Sequence, residues 1–316
     1  PKDDNIFIEN LNEVYNYIKI HYKNFNCIRI GEACMTNNIM NFLQIVWEPA
    51  SDGIRLFGDF KIHYYSLMWM IAFIFGLQIM KKIYKNEGES ESKMDSLFMY
   101  SVLGIMIGAR LGHVIFYQSE LFREDFLSVF LPFKFSGGFE FTGFRGLASH
   151  GAAIGMIISM YIYNKKILKK SVLWILDRVV IPCALGAIFI RIGNFFNSEM
   201  IGKPASEGLP WAIIFKDMDS IPRHPGQLYE AFGYIFVFLI LFLLYWKTNK
   251  RQQEGFLFGL FLLLLMAVRV FVEQFKIAQV DGREDWILGL NTGQALSIPF
   301  ILIGLYFMFL HKTKAS

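Results

Sequence analysis

Cysteine is scarce in this chain, and so is every arrangement that would make it structural. Three of 316 residues are cysteine (Cys27, Cys34 and Cys183), too few and too scattered for a disulfide framework. No Cys-x-x-Cys pair, His-Glu-x-x-His cluster or paired-aspartate motif occurs, so neither a structural metal nor a metal-dependent phosphotransferase is expected. Charge is also thin: 18% of residues are charged and the net charge is +4, which excludes a nucleic-acid surface as the organising feature. Internal repeats and low-complexity tracts are missing, which weakens a duplicated-transporter architecture.

What remains is apolar. The chain is 54% hydrophobic with 33 phenylalanines, beyond what an ordinary soluble domain carries. Runs approaching the roughly 20 residues a helix needs to cross a bilayer occur about seven times: Tyr64 to Met80, Ser96 to Tyr117, Gly146 to Tyr163, Val172 to Phe195, Leu228 to Trp246, Phe256 to Phe275 and Leu288 to Leu310. The expected fold is therefore an all-α, polytopic bundle of about seven transmembrane helices over residues 41–316. The third segment, rich in Gly and Ala, suits a helix packed inside the bundle.

Lysine and arginine crowd alternate connections: Lys81, Lys82, Lys85 and Lys93; Lys165, Lys166, Lys169 and Lys170; Lys247, Lys250 and Arg251; Lys312 and Lys314. The positive-inside rule then places those links and the C-terminus in the cytoplasm and the N-terminus outside. Residues 1–40 are polar, mixed in charge and without a signal-peptide core. They read either as a surface extension or as sequence upstream of a start at Met35 or Met40. Phe42 to His63 reads as an interfacial lead-in. The phenylalanines between Phe122 and Phe144 read as an aromatic belt.

Ionisable groups inside apolar spans are expensive and are usually held for function. Arg110, His113, His150, Arg191, Glu230, Arg269 and Glu273 all fall toward one side by this threading, with Tyr65, whereas Asp177 and Arg178 fall toward the other. In Arg191-Ile-Gly-Asn194-Phe-Phe-Asn197-Ser-Glu199-Met-Ile-Gly202 an apolar helix ends in a guanidinium, two amides, an acid and two glycines. A planar fork with amide donors suits a phosphate; an arginine snorkelling to headgroups is the alternative. Arg269 and Glu273 share a helix face, either as an inter-helix lock or with Glu273 orienting Arg269 beside Arg191. Arg110 and His113 form a supporting pair. His150, among small residues, suits a general base or a hydrogen-bonded core histidine. Arg223-His-Pro-Gly-Gln-Leu-Tyr-Glu230 reads as bracing.

Taken together, Arg191 to Gly202, His150-Gly, Arg223 to Glu230, Gly108-Ala-Arg-Leu-Gly112, Arg269 to Phe275 and Thr292-Gly-Gln-Ala-Leu-Ser-Ile-Pro299 resemble the bacterial prolipoprotein diacylglyceryl transferases from about Phe42 onward. The resemblance implies transfer of a diacylglyceryl group from phosphatidylglycerol to the lipobox cysteine thiol of a preprolipoprotein, releasing glycerol phosphate. It also implies the bacterial cytoplasmic membrane, a site on its outer side and no cofactor. The family's signature residues fall on His150, Arg191, Asn194, Glu199, Gly202, Tyr65 and Arg269. Three positions depart from the pattern: Ala152, Ile190 and Lys276. Expected roles are His150 taking the thiol proton, Arg191 and Arg269 holding the phosphodiester, and Tyr65, Arg110, Asn194, Glu199, Gly202 and Glu273 lining the substrate site. A transporter of an anionic small molecule or lipid is the competing reading.

Overall fold

The computed structural model describes residues 45–49, 53–57, 60–130, 133–134, 140–141, 148–206, 208–277 and 289–310. Residues 1–40, and with them the expected N-terminal extension, lie outside the described residues, as do Phe135, Phe139, Phe144 and Leu288. Seven helices correspond to the seven apolar segments: α1 (Tyr64–Asn86), α2 (Glu91–Tyr117), α5 (Ser149–Tyr163), α6 (Val172–Phe196), α7 (Gly226–Lys247), α8 (Phe256–Val272) and α9 (Thr292–Leu305). Two short helices, α3 (Leu121–Glu124) and α4 (Phe126–Phe130), follow α2. Among the described residues, six helices are long and apolar enough to cross a membrane; α5, with 15 residues before a π-helical turn at Asn164–Leu168, falls short of that length. The chain is thus a multi-pass, essentially helical membrane protein.

Local chemistry explains where the helices begin. Ser90 and Ser171 cap α2 and α6 by accepting from the backbone N–H of Lys93 and Trp174. At α9, Asn291 and Gln294 form a reciprocal capping box. Many large apolar side chains stay exposed, among them Phe75, Ile157, Phe232, Phe236, Leu243 and Phe309, because their solvent is hydrocarbon rather than water.

Not everything is helical. Strand β1 (Ile45–Trp47) runs parallel to β6 (Ile213–Phe215), which pairs antiparallel with β7 (Pro222–Arg223); β2 (Gly53–Phe57) and β3 (Phe60–His63) form a hairpin, as do β4 (Phe133–Lys134) and β5 (Glu140–Phe141). The lead-in to α1 is therefore partly strand. Phe195, Ile201, Ile213 and Phe215 make a small apolar core under the β1–β6–β7 sheet, and Trp47 packs on Phe195 with ring centroids 4.4 Å apart. That core clamps the end of α6.

The two ends of the bundle differ. At the lysine-rich end, Arg178 donates to Glu87 at 2.9 Å and Tyr245 donates to the same carboxylate at 2.8 Å. Asp177 accepts from the backbone N–H groups of Gly255 (2.7 Å) and Phe258 (2.8 Å), capping α8. Along the bundle, α2 and α5 meet backbone to backbone. A Cβ placed on Gly151 would lie 2.2 Å from the Gly108 carbonyl oxygen, and one on Gly155 would lie 2.1 Å from that of Gly104. Only glycine permits that approach.

Candidate active site

At the other end, α6 delivers Arg191 and Asn194 in its last two turns, where unsatisfied carbonyls favour a cation. The Arg191 guanidinium meets buried Glu230 of α7, Nε to Oε2, at 2.8 Å. One Arg191 Nη donates to Asn194 Oδ1 at 3.2 Å, and Asn194 Nδ2 donates onward to Glu199 Oε2 at 2.9 Å. After Phe196 the chain turns through Ser198 (φ 52°) and Met200 (φ 58°), two non-glycine residues in the left-handed region on either side of Glu199. Such conformations cost about 1 kcal/mol or more each. Hydrogen bonds offset the cost: Glu199 N–H donates to the Asn194 carbonyl (2.9 Å), Asn197 Nδ2 to Glu199 Oε1 (3.2 Å), and the Gln227 amide to the Glu199 carbonyl.

Arg269, half-buried on α8, has a guanidinium with no hydrogen-bond or ion-pair partner among the described residues. Both Arg191 and Arg269 lie near enough to act electrostatically on Tyr234, one turn beyond Glu230 on α7. Among the described residues Arg269 has no counter-charge of its own. An unpaired cation at membrane depth is costly unless a ligand supplies its counter-charge.

Glu273 does not pair with Arg269. Its carboxylate faces Lys276 Nζ at 3.8 Å and lies against the start of α9, where a Cβ on Gly293 would sit 1.9 Å from Oε1. Asn291 Nδ2 donates to its backbone carbonyl at 3.2 Å. A carboxylate at a helix N-terminus is favourably placed. The Tyr65 ring covers Gly193, where a Cβ would lie 2.8 Å from the ring carbon Cδ2, and so fixes α1 against α6 beside Asn194.

Gly202 acts through packing. Its N–H donates to the His224 carbonyl (3.0 Å), Lys203 N–H to the Phe275 carbonyl (2.7 Å), and Ile277 N–H to the Ile201 carbonyl (3.3 Å). Three segments are knitted at one glycine. Beside it, Tyr229 Oη lies 3.0 Å from His224 Nδ1 and accepts from Trp211 Nε1 at 2.8 Å, so its own proton is directed to the imidazole. Burial holds His224 below the ordinary histidine pKa, consistent with a neutral ring.

Arg110 Nε donates to the Val129 carbonyl (3.1 Å) and one Nη to that of Ser128 (2.7 Å), which anchors α4 on α2. His113 stacks on Tyr117. His150 occupies the first turn of α5, and its side chain lies outside the described residues.

Three members of the cluster were not singled out as site residues by sequence reasoning: Lys276, Tyr234 and Gln227. Tyr234 follows Glu230 at a spacing of four and Lys276 follows Glu273 at a spacing of three, so helical spacing from a known acid could have found both.

Residues 53–310 match the family described as prolipoprotein diacylglyceryl transferase. A phosphatidylglycerol–prolipoprotein diacylglyceryl transferase of Bacteroides fragilis is 42% identical over 282 residues, covering 89% of this chain and 99% of the relative. Proteins of the same name from Tolumonas auensis and Chloroherpeton thalassium are each 38% identical over 272 residues, covering 86% of this chain and 99% and 96% of the relatives. With a family model matching residues 53–310 and relatives of this similarity along most of its length, the chain belongs to the prolipoprotein diacylglyceryl transferase family.

Proposed function

We propose that this protein transfers the diacylglyceryl group of phosphatidylglycerol to the lipobox cysteine thiol of preprolipoproteins, from a site facing the outer side of the bacterial cytoplasmic membrane. The observation that carries the reading is the Arg191 guanidinium held between the buried Glu230 carboxylate and Asn194, with Arg269 on neighbouring α8 showing no hydrogen-bond or ion-pair partner among the described residues. One anionic headgroup would supply counter-charge to both guanidinium groups.

In the reaction, the cysteine sulfur attacks the terminal glycerol carbon bearing the phosphate ester. A C–S bond forms, the C–O bond breaks, and glycerol phosphate departs with the electron pair. A free thiol has a pKa near 8.5 and is mostly protonated at neutral pH, so a base is needed; His150 is assigned that proton. Arg191 and Arg269 hold the phosphate and bind it more strongly as charge develops on the leaving oxygen. Asn194 and Glu230 keep the Arg191 fork from rotating, and Glu199 closes the loop through Asn194. Tyr65 and Gly202 set the positions of the segments that carry these groups. Acyl chains would stay in hydrocarbon while the headgroup enters the polar end.

Purified protein, phosphatidylglycerol and a lipobox peptide should give a peptide heavier by one diacylglyceryl group, with no reaction for a Cys→Ser peptide. An unchanged peptide mass with folded wild-type protein would exclude the activity. Transport finds less support, because Arg178 and Asp177 at the opposite end are held by Glu87 and by the start of α8.

A further inference from the structure

We propose that Lys276 is a positioning residue for the transfer, holding the Arg191 fork in place through the buried Glu230 carboxylate; this rests on the transferase reading above. Glu230 is completely buried, and its two oxygens face different cations, Arg191 Nε at 2.8 Å from Oε2 and Lys276 Nζ at 3.2 Å from Oε1. The same ammonium faces Glu273 Oε2 at 3.8 Å, and Lys276 is itself 4% exposed. The result is an alternating chain of charge, Arg191, Glu230, Lys276, Glu273, running from α6 through α7 to the start of α9.

The backbone is built to send this lysine there. Lys276 forms a bridge with Gly202, and its N–H donates to the Glu273 carbonyl at 3.3 Å. Its stem crosses the first turn of α7 at Gly226, where a Cβ would lie 3.1 Å from the lysine Cγ. A larger residue at Gly226 would crowd the stem that reaches Glu230 one turn further along.

Removing the ammonium leaves two buried carboxylates near each other with Arg191 as the nearest cation to Glu230. A buried charge without its partner is strongly unfavourable, so the remaining cation is drawn toward it. Arg191 would then turn its fork into Glu230 and away from Asn194 and the phosphate. Lys276 does not touch substrate in this scheme. It sets how much of Arg191 is available to do so.

Lys276→Met keeps the length of the stem and removes the charge. With phosphatidylglycerol vesicles and a lipobox peptide, kcat should fall about tenfold or more, while KM for the lipid changes less than about threefold. Lys276→Arg should restore most of kcat, which a purely space-filling role would not require. If wild-type protein adds no diacylglyceryl group, the transferase reading falls and this inference with it. If wild type is active and Lys276→Met matches it, or Lys276→Arg is as impaired as Lys276→Met, this inference alone is overturned. Should Lys276→Met fail to fold, Lys276→Met/Glu273→Gln removes one buried negative charge with the positive one. A folded double variant with reduced kcat supports the proposal, and one with wild-type kcat overturns it.

Discussion

Gly202→Ala tests whether the site depends on three chain segments crossing at one point. The added Cβ would lie 2.2 Å from the His224 carbonyl oxygen, 2.7 Å from the His224 Cβ and 2.8 Å from the Phe275 carbonyl oxygen. Two of these neighbours are backbone, on different chain segments, so no rotamer change relieves the contact. Restoring ordinary carbon–oxygen separation requires a shift of about 1 Å. The movement weakens Gly202 N–H to His224 O and Lys203 N–H to Phe275 O, worth about 1 kcal/mol each. It also displaces Lys276 and Glu199, the neighbours of Glu230 and Asn194. A misplacement of about 1 Å near a reacting centre costs about 100-fold in rate. The expected outcome is a kcat/KM reduced by about that factor, measured as the initial rate of peptide mass gain, with about 2 kcal/mol lost in stability. Gly186→Ala on α6 is the control, because its Cβ would meet only the Ala72 Cβ at 3.9 Å. A Gly202→Ala enzyme turning over at the wild-type rate would refute the crossing as a determinant of the site.

Other perturbations separate catalysis from stability. Arg269→Ala removes a guanidinium without a described partner, so the melting temperature should hold while turnover falls about 100-fold; a matching loss of stability would contradict that assignment. Arg191→Ala strips Glu230 of its closest cation, so turnover should vanish and stability should drop by about 1–3 kcal/mol, read by thermal melting in detergent. Asp177→Ala at the opposite end removes the acceptor for two N–H groups at the start of α8. It should cost about 1–2 kcal/mol and leave the rate per folded molecule unchanged. Gly151→Leu should abolish correct packing of α5 on α2, seen as loss of monodisperse protein on size exclusion.

The helices were legible because bilayer length and apolar content act locally. Arg191, Asn194 and Glu199 lie within nine residues of sequence, so their joint role could be read from the motif. Strand pairing between β1 and β6 joins residues far apart in the chain and leaves no local periodicity, which is why an all-helical reading missed it. The partners of Glu273 were misassigned for a related reason: helical spacing put it beside Arg269, but the chain leaves regular α-helix at Val272 and turns the carboxylate toward Lys276 and α9. Arg110 was read as part of a supporting pair with His113, and two of its donors go to carbonyls of α4, a contact that no helical spacing announces.

The glycine seam between α2 and α5 has a mechanical consequence. Where Gly108 and Gly104 press against Gly151 and Gly155, backbone meets backbone, and the one side chain met at Gly104 is the short Ser159. The two helices must travel as one stiff plank. A tilt applied to α2 is carried into the first turn of α5, where His150 sits, so a change on one helix is felt at the start of the other.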